Sequence, residues 1–497
     1  MRDARGHLGG TFNAMHSRTT HWALVLGLGA LGTGCSDVDE PEQAGADDGA
    51  TTEGEDSSED SMHDWPDEGP DDGPGDGPDG GDENARPNWH EDIAPLLAEH
   101  CSRCHDGEGI AFAMGDYAET RPWAEVMAIE TASAQMPPWH AIEGEQCEPQ
   151  HSFEGDPRLS DEQIQMFADW ADAGTPLGDP DLAAPIDPPI AIDLADPTVT
   201  LPMQGSVTVQ REGDKLDFFH CLSLDPGHTT DVFVDGLQFI PGNDRIAHHA
   251  IVYIDETGES ASWPDGVLQE CNGGTGVSST TMIGGWVPGT EPTVTPDNVG
   301  IRLPVGARII INVHYHADIS GPQTDDTTAL AMRWTSQAPR WVSEFRLIGT
   351  PGAGQSTSGD FIIPAGAVGH EESVEWTVPN DAPSVRVWAV ANHMHKVGVD
   401  QKTDILRASE SECLVQTPQW DFNWQRIYEI DLPIDQTPEL RPGDKIRVRC
   451  TYDNVIDNPG VFEALAELGL DAPRDVVSGD GTLDEMCVAG LGLAVRL

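Results

Sequence analysis

The sequence predicts a multidomain fold in which a small all-α unit precedes two all-β sandwiches. From Val207 to the C-terminus, short β-branched and aromatic runs alternate with Gly, Pro, Asn and Asp, which is typical of sandwiches or barrels. The chain has 497 residues, too many for one core. The clearest predicted strands are residues 309–313, 341–348, 374–378 and 445–450.

The all-α unit is defined best by its last helix. Ser160 is a suitable N-cap, Gln163 completes a capping box, and Gly174 follows as a stop signal. A linker rich in Pro and Asp then leads to the sandwiches. The expected boundaries are 86–185 for the all-α unit, 176–197 for the linker, and 198–340 and 341–497 for the two sandwiches.

The N-terminus predicts export from a bacterial cell. Basic residues precede an apolar run, 22–31, that is too short to span a bilayer and fits a signal peptide. Small residues before Cys35 resemble a lipoprotein cleavage site, so we expect a signal peptide at 1–35 and lipidation of Cys35. Ordinary cleavage that discards Cys35 is the alternative. We expect a periplasmic or outer-surface protein that touches the membrane only through a lipid anchor, where disulfides persist.

The charge of the chain excludes one class of partner. The formal net charge is -60, whereas nucleic-acid binding requires a basic surface. Much of the acid lies in residues 36–85, which are dominated by Asp, Glu, Gly and Pro. Such a segment repels itself and cannot bury a core, so a disordered acidic linker is predicted there.

A five-residue motif in the all-α unit indicates a covalent cofactor. Cys101-Ser102-Arg103-Cys104-His105 is Cys-x-x-Cys-His, the attachment motif of a c-type haem. The two thiols can reach the two vinyl groups of one porphyrin, and His105 then lies under the iron. A zinc site would require a second pair of ligands, and the only other cysteine nearby is Cys147. We therefore expect one haem c in a cytochrome c-like domain.

The sixth iron ligand is predicted to be Met136. It begins Met136-Pro137-Pro138-Trp139, a rigid extended stretch that resembles the distal segment of small c-type cytochromes. Ligation by Met and His raises the reduction potential of haem. A core role for Met136 is the alternative. The other candidate ligands are Met114, Met127, His140 and His151.

Three histidine motifs lie in the β region. His393 and His395 follow a predicted strand, on which residues i and i+2 face the same way. His248 and His249 are adjacent on another, so both can bind one metal only if that strand bends or one ligates through Nδ1. The third motif contains His314, with His316 two residues later.

Copper is the metal that best suits these ligands. Met486, beside Cys487, adds a thioether to the histidines of the second predicted sandwich. Two imidazoles and one thioether suit copper that cycles between Cu(I) and Cu(II), whereas zinc rarely uses a thioether. Two copper ions per chain are expected.

The order of these motifs resembles that of the type II copper, ascorbate-dependent monooxygenases, which include peptidylglycine α-hydroxylating monooxygenase and dopamine β-monooxygenase. The resemblance covers about residues 200–497. The motifs that carry it are His248-His249, Val313-His314-Tyr315, His393-Met394-His395, Pro442-Gly443-Asp444, Cys450-Thr451-Tyr452 and Glu485-Met486-Cys487.

The resemblance implies a role for each motif. It assigns the electron-transfer copper to one set of ligands and the copper that binds O₂ to another, and it excludes His316 from both. It also implies a Cys450–Cys487 disulfide and two jelly-roll-like sandwiches that face each other across a solvent-filled cleft. The electron-transfer set is His248, His249 and His314, and the catalytic set is His393, His395 and Met486.

The predicted function is that of an exported monooxygenase that hydroxylates a C–H bond of a small organic substrate with O₂. Its electrons are expected from an external donor through the covalent haem c, from ascorbate, or from both. The alternative is a non-catalytic haem and copper lipoprotein that transfers electrons or binds copper. An open coordination position favours the enzyme, because a storage site gains nothing from it.

The sequence departs from the peptide-hydroxylating branch. Ala391 stands where that branch has an Arg that grips a carboxylate, and Val488 and Gly490 replace polar residues that contact substrate. A peptidylglycine substrate is therefore disfavoured. An apolar or aromatic substrate is suggested by Val387, Trp388, Val488 and Leu491. The sequence does not pair Cys147, Cys221, Cys271 and Cys413, although Cys221 and Cys271 could bridge within the first sandwich.

Overall fold

The computed structural model describes most of the chain beyond the N-terminal segment. All described residues belong to one of two compact units, that of Pro78–Leu497. The predicted signal peptide, Cys35 and the acidic linker lie outside the described residues. In the part of the chain that is described, no helix combines the length and apolar character needed to cross a membrane. The described residues are 86–105, 112–186, 193–213, 215–271, 274–318, 320–349, 361–479, 481 and 483–497.

Short helices pack together at the N-terminal end of the described chain. The capping box that the sequence predicts at Ser160 and Gln163 is confirmed, and Gly174 has a φ of +77°. Apolar side chains form a small core between the helices, with Ile93, Phe167 and Trp170 almost fully buried. The helices are α1 (Ala94–His100), α2 (Tyr117–Thr120), α3 (Ala124–Ala132) and α4 (Asp161–Asp172); a π-helical turn (Trp89–Ile93) and 3-10 turns (Arg121–Trp123, Pro180–Leu182) accompany them.

Between α3 and α4 the chain leaves this helical core. Residues 139–155, here called the arm, lie along the second sandwich, and Trp139, Ala141 and Phe153 join its apolar core. The backbone N–H of Glu154 donates to the carbonyl of Glu429 (2.9 Å), and that of Ile142 to Gln416 (3.1 Å). A disulfide between Cys147 of the arm and Cys413, 266 residues later, links the arm covalently to the second sandwich. The arm thus fastens the helices to the β region.

Among the described residues, five sheets form the β region. The first strands are β1 (Val199–Pro202), β2 (Val207–Val209), β3 (Asp217–Leu224), β4 (Val232–Ile240), β5 (Ala247–Asp255), β6 (Gln269–Glu270), β7 (Thr281–Trp286), β8 (Thr293–Val294), β9 (Val299–Leu303), β10 (Arg308–His316), β11 (Gln323–Asp325) and β12 (Ala329–Thr335). Short 3-10 turns lie at Glu259–Ser262 and Phe422–Trp424.

The remaining elements follow residue 340. They are β13 (Trp341–Gly349), β14 (Ile362–Ile363), β15 (His370–Thr377), β16 (Val385–His393), β17 (Gly398–Leu406), β18 (Ser411–Thr417), β19 (Ile427–Glu429), β20 (Glu439–Leu440), β21 (Lys445–Tyr452), α5 (Pro459–Leu468), β22 (Val476–Val477) and β23 (Val488–Arg496).

One sheet runs through both sandwiches. It has ten strands, in the order β1-β12-β4-β9-β13-β23-β16-β19, with β8 beside β4 and β20 beside β16. The two halves meet where β13 pairs in parallel with β9, with Trp341 opposite Val299. A five-stranded sheet (β6-β3-β10-β5-β7) encloses one apolar core with the first half, and a four-stranded sheet (β15-β21-β17-β18) encloses the other with the second half. The predicted β-sandwich architecture is confirmed, with one sheet shared.

An acidic group lies where the arm meets β19. Burial raises the pKa of Glu429 to about 8, and the nearby carboxylates of Glu154 and Glu291 act in the same direction. The folded protein therefore keeps this proton up to about pH 8, whereas the unfolded chain releases it near the ordinary value of 4.5. The contribution of Glu429 to stability is fully present below pH 4.5 and is lost as the pH rises towards 8.

We expect the Glu429→Gln variant to lose this dependence on pH. Between about pH 5 and 8, the free energy of unfolding should fall less steeply than in the wild type, by at most about 1.4 kcal/mol per pH unit. Urea unfolding at several pH values measures the slope. The same change at the exposed Glu410 should leave the slope unaltered; equal slopes for wild type and Glu429→Gln would contradict the prediction.

Candidate metal centres

Three imidazoles converge near one end of two neighbouring central strands of the first sandwich's five-stranded sheet. His248 and His249 lie on β5, and His314 lies on the neighbouring strand β10. The Nδ1 atom of His249 is 3.1 Å from Nδ1 of His248 and 3.3 Å from Nδ1 of His314. Among the described residues, these three form the group of His, Cys, Asp and Glu side chains whose ligand atoms could hold one metal ion. The sequence placed all three in one site.

A β-bulge allows adjacent histidines to face the same metal. His314 is opposite His249, but the next residue, Tyr315, is opposite Ala247, so His248 is the extra residue of β5. A bulge re-aims a side chain that would otherwise face the opposite side of the strand. Of the two possibilities that the sequence left open, the structure shows the bend, and His248 and His249 also approach each other through Nδ1.

The nitrogen spacing fits a metal ion. Two ligands at a metal–nitrogen distance of about 2.0 Å and a tetrahedral angle would be about 3.3 Å apart. The observed separations of 3.1 and 3.3 Å agree with this value. Burial lowers the pKa of His248 and His249 well below the ordinary range, and the neighbouring imidazoles lower it further. Both rings are thus neutral, which is the form that binds metal.

A carboxylate behind the site orients one of its ligands. The ring of His314 donates from Nε2 to Oδ1 of Asp217 (2.9 Å), which leaves Nδ1 directed at the other histidines. His316 lies two residues further on the same face and donates to the same oxygen (3.0 Å). Tyr315, between them, faces the core and donates to Asp325 (2.8 Å). His316 therefore supports Asp217 rather than joining the three converging rings.

The second site lies where β16 ends. His393 is the last residue of the strand and His395 lies beyond it, yet their ring centroids are only 5.2 Å apart. Nδ1 of His393 donates to Oε1 of Gln425 (2.5 Å), and Nδ1 of His395 donates to the carbonyl of Asp484 (3.0 Å). Each ring then presents Nε2 as its remaining ligand atom. Burial, and then the charge of His393, lower the pKa of His395 to about 3, which keeps it neutral.

A buried carboxylate ties Met486 to this histidine pair. Glu485 accepts hydrogen bonds from the backbone N–H groups of His395 (2.8 Å), Val397 (2.8 Å) and Met486 (3.0 Å). Burial raises the pKa of Glu485 to about 8, while these N–H groups oppose the shift. The hydroxyl of Tyr452 donates to the carbonyl of Met486 (2.7 Å). The main chain of Met486 is thereby fixed beside His395.

Three disulfides are present among the described cysteines. Cys450–Cys487 has the pairing that the resemblance implies and lies directly after Met486. Cys221–Cys271 bridges within the first sandwich, and Cys147–Cys413 is a pairing that the sequence did not indicate. Three disulfides indicate an oxidising compartment. Cys101 and Cys104 lie outside all three pairs.

The haem motif forms a tight turn after α1. The backbone N–H groups of Cys104 and His105 both donate to the carbonyl of Cys101, at 3.1 and 3.0 Å. Nδ1 of His105 donates to the carbonyl of Phe112 (2.9 Å), so Nε2 is the atom left for an axial bond to iron. Burial raises the pKa of the Cys101 thiol to about 12. These residues fit a covalent haem, which stays a prediction.

The candidates for the sixth ligand separate into two groups. Met114 and Met127 are buried in the helical core, and Met136 is half-buried in the turn after α3. His140 and His151 belong to the arm, where His151 bonds through Nε2 to the carbonyl of Leu414 (3.2 Å). Met136 remains the predicted ligand.

The apolar residues that suggested a substrate have another role. Val387 and Trp388 on β16, and Leu491 on β23, are fully buried in the sandwich cores, and Val488 is 7% exposed. Val387, Trp388 and Leu491 cannot line a substrate site, because their side chains are occupied by core packing. These three residues therefore do not support an apolar or aromatic substrate.

One aromatic ring lies between the two metal centres. Phe422 stacks on His248, with ring centroids 4.7 Å apart, and meets the edge of His395 at 5.6 Å. The resemblance implied a solvent-filled cleft between the sandwiches, but here a side chain contacts histidines from both.

Comparison with known proteins gives one family match, which covers part of the chain. Residues 365–491 match the family model "Copper type II ascorbate-dependent monooxygenase, C-terminal domain". The matched segment contains His393, His395 and Met486 together with the Cys450–Cys487 disulfide, whereas the three histidines of the first centre lie outside it. No curated protein matches the chain.

Similar solved structures share little with this chain. One is an allantoicase, with 10% identity and a TM-score of 0.15, covering 51% of this chain and 83% of that one. Another is dimeric latent PorU from Porphyromonas gingivalis, with 6% identity and a TM-score of 0.14, covering 56% and 24%. A third is the infectious bursal disease virus VP2 subviral particle, with 9% identity and a TM-score of 0.15, covering 60% and 71%. Scores this low carry no information about fold or function.

The residues that orient the ligands were not identified from the sequence. Asp217 stands directly opposite His316 across the β3–β10 pair, a relation that exists only once the strand register is known. Gln425 and Phe422 come from a loop with no metal-binding pattern, and Asp484 contributes only its carbonyl. A partial signal was present for Asp217, since it is an acidic residue at the start of an apolar strand.

We expect Asp217→Asn to weaken copper binding at the first centre, because the neutral amide no longer holds the orientation and basicity of His314. Loss of such a partner typically costs about 10–100-fold in metal affinity. Titration against a copper chelator measures the affinity of each centre. Asp225→Asn, just beyond the other end of the same strand, is the matched control; unchanged affinity in Asp217→Asn would refute the role given to this carboxylate.

Proposed function

We propose that this protein is an exported copper-dependent monooxygenase that hydroxylates a C–H bond of a small organic substrate. The observation that carries the proposal is the family match over residues 365–491, the segment that contains His393, His395 and Met486. The three converging imidazoles of His248, His249 and His314 supply the second metal centre that such a reaction uses.

The reaction consumes O₂, two electrons and two protons. One oxygen atom enters the C–H bond as a hydroxyl group, and the other leaves as water. Copper bound at the two centres would supply the one-electron redox chemistry for this reaction. The ligands proposed for the electron-transfer centre are His248, His249 and His314, and those for the catalytic centre are His393, His395 and Met486.

The residues around the catalytic centre keep its ligands in one protonation state and position. Gln425 and the carbonyl of Asp484 each accept the Nδ1 proton of one imidazole, so both Nε2 atoms can face one ion. Glu485 and Tyr452 hold the backbone of Met486 beside them. These partners preorganise the proposed ligands for one metal ion.

Electrons are proposed to enter through a covalent haem on Cys101 and Cys104, supplied by an external donor, with ascorbate as a second reductant. The placement of the haem motif supports this route. Arg103, inside the motif, forms an ion pair with Glu291 and donates to the carbonyl of Gly289 (3.2 Å), so the motif is docked on the first sandwich. Lipid anchoring through Cys35 is proposed on the sequence alone.

Metal content and O₂ uptake test the proposed function. Protein exported from a host that matures c-type cytochromes should contain one iron and two coppers per chain, and should consume O₂ when ascorbate and a hydroxylatable substrate are supplied. His395→Ala should lose one copper and all substrate-dependent uptake, whereas His316→Gln should keep both coppers. Copper binding without uptake across a broad substrate screen would favour a non-catalytic electron-transfer or copper-binding role.

The haem route has a separate test. Cys104→Ala should abolish turnover driven by a haem-linked donor, because the porphyrin is no longer held, while turnover driven by ascorbate survives. Steady-state O₂ uptake with each donor distinguishes the two. Equal loss with both donors would show that the cysteine serves the fold rather than electron entry.

A further inference from the structure

We propose that the turn Phe422–Trp424, here called the aromatic turn, is an electron relay between the haem motif and both metal centres. The inference rests on the proposed function, since it assumes that haem and copper occupy the sites described above. It extends that function by naming the residues that connect them. It also differs from a route that serves only the electron-transfer centre, because the turn contacts the catalytic centre as well.

The first end of the aromatic turn lies between the two centres. The ring of Phe422 is stacked on His248 with an interplanar angle of 24°, and it meets His395 at 70°. These histidines are proposed ligands of different metals. A single side chain therefore contacts a proposed ligand from each centre, which makes Phe422 a direct link between them.

Hydrogen bonds fix the turn in this position. Nε2 of Gln425 donates to the carbonyl of Phe422 (3.0 Å), while Oε1 of the same side chain accepts from His393 (2.5 Å). The indole N–H of Trp420 donates to the carbonyl of His395 (3.0 Å). The carboxylate of Asp421 caps the turn through the backbone N–H of Asn423 (2.8 Å). His393 and His395 are thus hydrogen-bonded to residues on either side of the turn.

The second end of the turn faces the haem motif. A Cβ atom added to Gly289 would lie 3.7 Å from Sγ of Cys104 and 4.0 Å from the ring of Trp424, so the thiol and the indole both lie close to this glycine. Gly289 has a φ of +81°, a conformation that other residues adopt only with strain. The contacts of Arg103 with Gly289 and Glu291 hold the motif against this loop.

The contacts form a continuous path. It runs from Cys104, past Gly289 to Trp424, along two peptide units to Phe422, and from there to His248 or His395. Electron transfer falls steeply with distance and is faster through packed atoms and bonds than across empty space. Each transfer moves one electron: ferrous haem is oxidised to ferric haem, one Cu(II) is reduced to Cu(I), and no bond is broken. Two such transfers supply the two electrons that one hydroxylation consumes.

Flash reduction of the haem tests the relay without measuring turnover. Protein that holds ferric haem and Cu(II) is reduced anaerobically at the haem by a photoexcited flavin. Haem absorbance then gives the rate of haem oxidation, and freeze-quenched electron paramagnetic resonance gives the loss of Cu(II). We expect a rate that does not depend on protein concentration, slowed by about an order of magnitude in Trp424→Leu because the packed path is interrupted. Trp424→Phe should retain most of the rate.

Trp376→Leu is the matched control. Trp376 is also a half-buried tryptophan, but it lies on β15, where it packs against Arg346 away from both centres. Its substitution should leave the rate unchanged. Copper content and the potential of the haem are measured in every variant, so that a slower rate is assigned to the path and not to lost metal or driving force. If Trp424→Leu does not fold, Phe422→Leu tests the other ring with the same expectation.

The outcomes separate the relay from the function on which it rests. A wild-type rate in Trp424→Leu, or no intramolecular transfer in wild-type protein that holds both metals, would overturn the relay. In either case ascorbate-driven O₂ uptake would leave the monooxygenase proposal standing. Wild-type protein that binds no copper, even after reconstitution, would overturn the proposed function and the relay together.

Discussion

The register between β16 and β23 is the constraint on which the catalytic centre depends. In this pair His393 stands directly opposite Val488, two residues after Met486. The strands lie inside a ten-stranded sheet, and β23 is paired along its other edge with β13. A shift of one residue would turn each side chain to the other face and bury a histidine in the core. The sheet thus brings the main chain of Met486, distant in sequence, beside the histidine pair.

The sequence predicted which histidines come together better than it predicted their orientation. His393 and His395 were placed together because residues i and i+2 share a face of a strand, but the strand ends at His393. What aims the two rings is a pair of acceptors, Gln425 and the carbonyl of Asp484, from separate loops. The sequence predicted that a bend at His248 and His249 would let both bind one metal. It did not predict that the bend is a bulge opposite His314, because the bulge depends on strand pairing that no local pattern encodes.

Domain organisation shows the same limit. Helices and strands were predictable because capping boxes, glycine stops and β-branched runs act over a few residues. The arm was not, since Trp139 and Phe153 are apolar residues that could pack in any core, and the Cys147–Cys413 pair spans 266 residues. Residues between α3 and α4 therefore belong to the second sandwich by packing, although they lie within the sequence limits expected for the haem domain. The arm fastens the helices to the second sandwich, while Arg103 holds the haem motif against the loop that contains Gly289.

The groups behind the ligands give the two centres different electrostatic characters. Behind the first centre, the carboxylate of Asp217 faces His314. Its negative charge favours a divalent ion over a monovalent ion at this centre. Behind the second, His393 and His395 face an amide and a carbonyl, which are neutral. The carboxyl of Glu485, whose pKa burial raises to about 8, is turned to backbone N–H groups instead. Neutral partners and a thioether favour the monovalent ion. An electron would therefore move from the centre backed by a carboxylate towards the centre without one, which is the direction that the proposed reaction requires.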